Sequence, residues 1–467
     1  MNKLTLNKNF LTAVFAAAVL LSACDKQIDL APESITTEKD ALTYQKGTER
    51  VLGGAYLSLL DASKGDAFEI GDLTTGIATS FTTDFATGAL DSRNSIVGSF
   101  WSTNYKTINL ANVIINKLPK YATFDLSIQN QLIGEAKFIR AFAYFNLLKH
   151  FGEGALEGKM DNMAVPLRLD AFDGYDGSQN LPRATNAEVY AQILKDLDEA
   201  IPVLMNKFST NVDQHSRATK SAARALASRV ALYSRNYAKS LSYSDAVLAD
   251  VNFKLENRVD LVFPINGMGA RDISFSDEIL FGFPVSWNKD VTQYKEHGIY
   301  YAYGFIKPDT TVFMKTYAVT DMRRSKFFPD AANLKRNMKF SHPELLDNLI
   351  MLRLSEILLN KAEAEANLNG VTAAAVDALN KVYQRAFAND QKPGLYTTVD
   401  FASKQLLLDR ILKERRWELA FEGQDRYDMI RTGRAPNASL PSSKYALPIP
   451  QREIDITDGL IKQNPGY

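Results

Sequence analysis

Apolar positions recur at steps of three and four over most of the chain, the spacing of helices that bury one face. Val51, Leu52, Ala55, Tyr56 and Leu59 mark the first face, behind a Thr37-x-x-Asp40 start of capping-box type. Gly53 and Gly54 weaken that helix but permit a neighbour to approach closely. Trp101, Tyr105, Ile108, Asn112 and Ile115 mark a second helix, closed near Pro119. A third, from about Ser127 to His150, is apolar nearly all round, which predicts burial on most sides. Thr185 and Glu188 form another capping box, ahead of Tyr190, Ile193, Leu194, Leu197 and Ile201. Thr219 caps a helix whose Ala223, Ala227, Val230 and Ala231 allow tight packing, with Tyr243 to Ala249 as a short partner. Asp347 reads as the N-cap of a helix carrying Leu352, Ile357 and Leu359 and stopped by Gly370. Thr372 opens its partner, with Val376, Leu379, Val382 and Tyr383 inward. Helices paired in this way suggest a TPR-like solenoid, although the strict TPR signature is absent.

Leu406 to Arg434 reads as one long helix. Leu408, Ile411, Leu412, Arg415 and Leu419 share a face, which places a charge inside an apolar stripe. An isolated buried charge costs several kcal/mol, so Glu414, Arg415, Glu418, Glu422 and Arg426 are expected to form a packed ion network. Such groups neutralise one another and have no His or Ser nucleophile within reach by sequence, so the expected role is structural.

Two stretches break the helical period. Asp61 to Ser99 is rich in Gly, Thr, Ser and Asp, with Phe68, Phe81 and Phe85 interspersed. From about Asp250 to Pro343, Gly and Pro are frequent and the densest aromatic cluster occurs, including Phe281, Phe283, Trp287, Tyr294, Tyr300, Tyr301 and Tyr303. Short strands and long loops are expected there, and long loops inside a globular protein are usually functional or disordered.

The N-terminus changes the picture. Lys3 and Lys8 precede an apolar run, Phe10 to Leu21, too short to span a bilayer. It ends in Leu21-Ser22-Ala23-Cys24, which looks like a lipobox, and Cys24 is the single cysteine of the chain. Acylation of that thiol and cleavage before it are expected, and two or three acyl chains anchor a protein stably. One cysteine also excludes an intrachain disulfide and a Cys-rich metal site. The 54 basic and 54 acidic residues balance, and no basic run is present, which argues against a nucleic-acid partner.

No G-x-S-x-G, H-E-x-x-H, P-loop or G-x-G-x-x-G motif occurs. The four histidines, His150, His215, His297 and His342, do not pair at ligand spacing. His150, ending a buried helix, reads as packed, whereas His297 falls in the aromatic loop. Glu363 and Glu365 are two apart on a helix and face different ways, so they do not make a glycosidase pair by themselves. Binding without chemistry fits better. Sugars present flat C–H faces ringed by hydroxyls; an aromatic ring covers the face while Asp, Asn and Arg take the hydroxyls. The two irregular stretches have that composition.

The pair Glu414-Arg415, the run Glu418-Leu419-Ala420-Phe421-Glu422-Gly423, Arg426, and Asp428-Met429-Ile430-Arg431 together resemble the C-terminal signature of the SusD/RagB family. Arg140-Ala141, Tyr144-Phe145 and Phe151-Gly152 are similar to another family run, and Val165-Pro166-Leu167 follows after an inserted stretch, 153–164, that reads as a surface loop. Lys361-Ala362-Glu363-Ala364, Leu447-Pro448-Ile449-Pro450, Glu453 and Gln463 to Tyr467 match the family's later segments. The resemblance runs the length of the chain.

It implies a mainly α fold, a scaffold of about four irregular TPR-like helical pairs with a loop-rich, partly β region. The expected organisation is a lipoprotein signal peptide at 1–23, a lipid-anchored tether at 24–36 and a single SusD-like domain at 37–467. Within that domain the scaffold covers about 37–249 and 346–434, the ligand region about 250–345, and an irregular tail 435–467. The resemblance implies a cell-surface, outer-membrane lipoprotein, not an enzyme, that binds an oligosaccharide and delivers it to a SusC-like TonB-dependent transporter. Peptide capture, as in RagB-like members, and a lipid-anchored helical glycosidase are the alternatives. Trp287, between Ser286 and Asn288 in a polar loop, is the first candidate for ligand contact, followed by Tyr294, Tyr301 and Asp72, then Arg93 and Asn94. Trp101 and Trp417 are assigned to the scaffold. No cofactor is expected, and the sequence specifies no ligands for a structural calcium ion.

Overall fold

The structure, a computed structural model, describes residues 37–80, 87–263, 274–284, 306–328, 337–340 and 347–467. Helix α1 (Glu38–Thr43) opens on the Thr37/Asp40 capping box and leads into α2 (Gln45–Ser63). Then come α3 (Asp66–Leu73), strand β1 (Ala78–Ser80), α4 (Ser95–Tyr121) and α5 (Leu126–Phe151). Next follow α6 (Asn186–Ala200), α7 (Asn211–Ser216), α8 (Lys220–Tyr233) and α9 (Tyr237–Leu248). Strands β2 (Ile279–Phe283) and β3 (Ile306–Pro308) precede α10 (Met322–Phe327), β4 (Leu349–Arg353), α11 (Leu354–Asn369) and α12 (Ala373–Gln384). The chain closes with α13 (Lys404–Glu418), α14 (Asp425–Arg431) and α15 (Gln451–Ile456).

Helices pack on their chain neighbours. α4 lies on α2 and α5, α5 on α6, α8 on α9, and α11 on α9, α12 and α13. This is the paired-helix scaffold expected from the periodicity. α5 is buried along most of its length, as its all-round apolar sequence predicts. Small residues at Ala222, Ala223, Ala227 and Ala231 let α8 sit buried among its neighbours, with only Lys220 and Arg224 half-buried. Two antiparallel strand pairs, β1–β3 and β2–β4, are the only sheets among the described residues.

Several expectations are corrected. The stretch from Leu406 is two helices, not one. The backbone leaves α13 after Glu418, and Phe421 and Gly423 adopt φ of +63° and +68°, outside any helix. The apolar run after Asp347 begins as strand β4 and becomes helical only at Leu354. The supposed loop 61–99 contains α3, and the tail contains α15. Gly53 and Gly54 face open space, with nothing within 4 Å of an added Cβ, so neither admits a close neighbour. In the insertion at 153–164, Ala155 and Leu156 turn inward and are buried, so it is only partly a surface loop.

The ion network exists, with different partners. Glu418 is buried between three arginines: Arg385 at 2.5 Å, Arg353 at 2.6 Å and Arg323 at 3.0 Å. Glu422 meets Lys339 at 2.7 Å and Arg353 at 2.8 Å. Glu414 meets Arg323 and Arg410, while Asp321 and Glu278 complete the set. Five cations thus face five carboxylates. Burial alone would raise Glu418, but the three guanidinium groups outweigh it and hold its carboxyl well below 4.5. Arg415 belongs to an adjoining set, with Asp428 at 2.6 Å and Glu356 at 3.3 Å. Arg426 makes no ion pair among the described residues. Its Nη2 donates to the Lys444 and Tyr445 carbonyls, and burial lowers its pKa.

Segments distant in sequence are stapled together. Arg183 donates to the Ala164 and Met163 carbonyls and, at 2.7 Å, to Asn464 Oδ1. Asn464 Nδ2 in turn donates to the Phe151 and Leu447 carbonyls.

Candidate functional site

Strands β1 and β3 pair with Ala78 opposite Pro308 and Ser80 opposite Ile306. Ser80 and Ile306 therefore lie side by side at one end of the ribbon. The two irregular stretches singled out by composition meet at this ribbon. Beyond β3, Asp309 closes a turn: its carboxylate accepts from the backbone N–H groups of Thr311, Val312 and Phe313. Burial would raise its pKa, but these donors prevail and lower it.

The base of the first stretch rests on late parts of the chain. Arg416 Nη2 donates to the Thr75 carbonyl at 3.0 Å, and its Nε is 3.0 Å from Asp425. Asn437 Nδ2 donates to the Thr74 carbonyl at 2.8 Å, and Lys444 Nζ to the Gly88 carbonyl at 3.1 Å. Ser92 and Gln451 exchange two hydrogen bonds. The bend between α13 and α14 carries Gly423 against Gly71 of α3, where an added Cβ would lie 2.6 Å from the Gly423 carbonyl oxygen. The ion network fixes that bend through Glu422, so the buried charges position the loop base.

A cleft of about 590 Å³ lies between α2 and the end of β2, lined by Leu52, Gly53, Tyr56, Leu60, Arg217 and Pro284 among others. Its polar wall is built on Glu135, which is fully buried. Glu135 accepts from the Tyr56 hydroxyl at 2.7 Å and from Arg217 Nη2 at 2.5 Å and Nε at 3.1 Å. Burial, with the Glu135 charge beside it, pushes the Tyr56 phenol well above its ordinary value, so it stays a donor. The cleft offers an apolar floor and a fixed phenol and guanidinium, the mixture that suits an amphipathic ligand. Pro284 on its rim stands three residues before Trp287.

The described histidines and the carboxylates Glu363 and Glu365 are already engaged by neighbours. His150 is enclosed: Nδ1 meets the Asn146 carbonyl, Nε2 meets the Tyr427 hydroxyl, and burial pushes its pKa well below 6.5. His215 is also lowered by burial and bonds the Ile279 carbonyl. Glu363 is taken up by Arg431 at 2.5 Å, and Glu365 accepts from Thr372. Among the described residues, no cluster of three or more His, Cys, Asp and Glu side chains could hold a metal ion, and no helix is long and apolar enough to cross a membrane.

Of the residues nominated from sequence, Trp287, Tyr294, Tyr301 and Cys24 lie outside the described residues, as do His297 and His342. Arg93 is exposed at the entry to α4. Asn94 is its N-cap, with Oδ1 accepting from Ile96 N and Val97 N. Asp72 is fully buried on α3. Trp101 packs edge-on against Phe151, and Trp417 stacks on Tyr317. Sequence reasoning missed Arg416, Asn437, Lys444 and Gln451, which hold the loop base, and the Tyr56–Glu135–Arg217 wall. Only Tyr56 carried a signal, as a hydroxyl within an apolar stripe.

A family model described as "Starch-binding associating with outer membrane" matches residues 66–232, and one described as "SusD family" matches 271–442. A SusD-like protein of Formosa agariphila is 24% identical over 498 aligned positions, covering 94% of each chain. The solved structure of a putative sugar binding protein from Bacteroides vulgatus is 26% identical, with a TM-score of 0.76, covering 91% of this chain and 99% of its own. A laminarin binding SusD-like protein has a TM-score of 0.72 at 22% identity, over 91% of this chain and all of its own. With the paired-helix scaffold, these matches identify the chain as a member of the SusD/RagB family.

Proposed function

We propose that this chain is an outer-membrane lipoprotein, anchored through Cys24 and exposed at the cell surface, that captures an oligosaccharide and delivers it to a SusC-like TonB-dependent transporter. The observation that carries the reading is the β1–β3 ribbon, which joins the two ring- and hydroxyl-rich stretches. The sugar and laminarin ligands named for similar proteins support a glycan, and the outer-membrane wording of the matching family supports the location. Trp287, Tyr294 and Tyr301 are proposed to stack on sugar faces, with exposed Arg93 taking hydroxyls. Asp72 and Asn94 would act through the loop base, since one is enclosed and the other is occupied by its helix cap. No covalent step is assigned. In the full chain, 1–23 is proposed as a signal peptide and 24–36 as a tether to a single domain at 37–467.

Calorimetry of the mature protein against neutral glycan and peptide pools tests the cargo. Heat with glycans alone supports the reading; heat with peptides alone replaces it with RagB-like capture. Co-purification from mild detergent tests the partner. A lipoprotein that emerges without an outer-membrane barrel counts against delivery.

A further inference from the structure

We propose that the loop from Arg168 to Asn180 is a second, separate platform for a neutral polysaccharide, with Phe172 and Tyr175 as its two stacking rings. This rests on the glycan-capture reading for its ligand class and adds a contact on the loop held by α4.

The loop is fixed although its only regular structure is a single 3-10 turn, Gly177–Gln179. Asn109, Asn112 and Asn116 lie three and four residues apart, on one face of α4. Asn112 Nδ2 donates to the Arg168 and Asp170 carbonyls, both at 3.0 Å. Asn116 Oδ1 accepts from Ala171 N at 2.9 Å, and Asn109 Oδ1 from Phe172 N at 2.8 Å. Tyr144 exchanges two hydrogen bonds with the Arg168 backbone, and Lys117 pairs with Asp173 and Glu38. Each bond removes freedom that a ligand would otherwise have to freeze out.

On this fixed backbone, Phe172 is 53% exposed and Tyr175 is 70% exposed. Gly174, between them, has φ of +112°, a conformation that side-chain-bearing residues rarely adopt. Asn180 Nδ2 donates to the Tyr175 hydroxyl at 3.2 Å, which restrains that ring. Single exposed apolar residues need no explanation, but two rings on a stitched loop do. Asp170, Asp173 and Asp176 lie among the rings, and no basic residue occurs from Asp170 to Asn180. Even with Asp173 paired to Lys117, these three carboxylates outnumber Lys117 and Arg168, which disfavours uronate or sulfated chains and an anionic lipid surface.

The test compares the mature protein with F172A/Y175A and G174A. The probes are laminarin, starch and xylan as polymers, their short oligosaccharides, polygalacturonate, and anionic vesicles. The expected result is roughly tenfold weaker binding of the preferred polymer by the double variant, with oligosaccharide affinity and melting temperature unchanged. G174A, which keeps both rings but moves them, should lose part of the same affinity. Polymer binding unchanged in the double variant overturns the platform alone. So does loss of vesicle binding or of transporter co-purification without loss of polymer binding. Wild-type protein that binds none of the glycans overturns the capture reading, and the platform with it.

Discussion

Gly71 and Gly423 meet backbone to backbone, with room for no side chain at the first: an added Cβ would lie within 2.6–2.8 Å of three Gly423 backbone atoms. This contact seats the start of the ribbon loop on the bend that follows the buried ion network.

G71A should therefore cost about 1–3 kcal/mol, because backbone must shift to relieve the overlap. Urea denaturation measures it. Glycan affinity should fall as well, since the loop base moves. Stability and affinity both unchanged would mean that the contact does not position the loop.

E418Q removes a carboxylate charge from between Arg323, Arg353 and Arg385. Breaking a buried pair leaves cations uncompensated, and the expected loss is roughly 3–5 kcal/mol. A loss below 1 kcal/mol in chemical denaturation would show that the arginines find other partners.

Acid should weaken the fold in a defined window. Glu418, Glu422 and Asp428 are held below their ordinary values by arginine and lysine partners that outweigh burial. A carboxyl lowered in the folded state binds fewer protons there than when unfolded. Its contribution is therefore complete above the ordinary value, about 4.5 for glutamate, and fades as pH falls toward the folded value. Asp321 and Asp425, raised by burial, act in the opposite sense. Glu418, between three arginines, sets the dominant direction. His150 and His215, lowered by burial, cost stability as pH falls through their ordinary value of 6.5. The melting temperature should therefore decline from about there and fall steeply below about 5; a rise on acidification would reverse the assignment.

R416A should affect positioning as well as stability. The Arg416–Asp425 pair is partly solvated on the arginine side, but Asp425 is buried and would lose its cation, so R416A costs about 1–3 kcal/mol. The freed Thr75 carbonyl also loosens the loop base, so glycan affinity should drop several-fold at temperatures where the variant remains folded. Unchanged affinity in the folded variant would mean Arg416 is only scaffold.

Much of the scaffold was legible because helix caps and periodicity are local. The Thr37/Asp40 and Thr185/Glu188 boxes, the Thr219 and Thr372 caps and the Gly370 stop all occur as read. Errors arose where a local pattern serves two structures. Leu349 to Leu359 is apolar apart from Arg353, Ser355 and Glu356, and neither period separates strand from helix within it. The break after Glu418 hides in a run that continues the helical spacing, because the left-handed Phe421 is chosen for packing rather than propensity. Network partners were illegible for a different reason: Arg323, Arg353 and Arg385 lie in other elements, and nothing local marks them as facing Glu418. Asn112 was read as part of an apolar stripe, and its burial is accounted for by the carbonyls it binds. The site was legible only as composition, since the ribbon pairs Ser80 with Ile306.

The Arg183–Asn464 staple spans 281 residues. Any chain delivered end-first, from a ribosome or through a translocation pore, lacks that clasp until almost everything has emerged. Completion of the native topology is deferred to release, which keeps the polypeptide threadable while in transit and lets it lock once free.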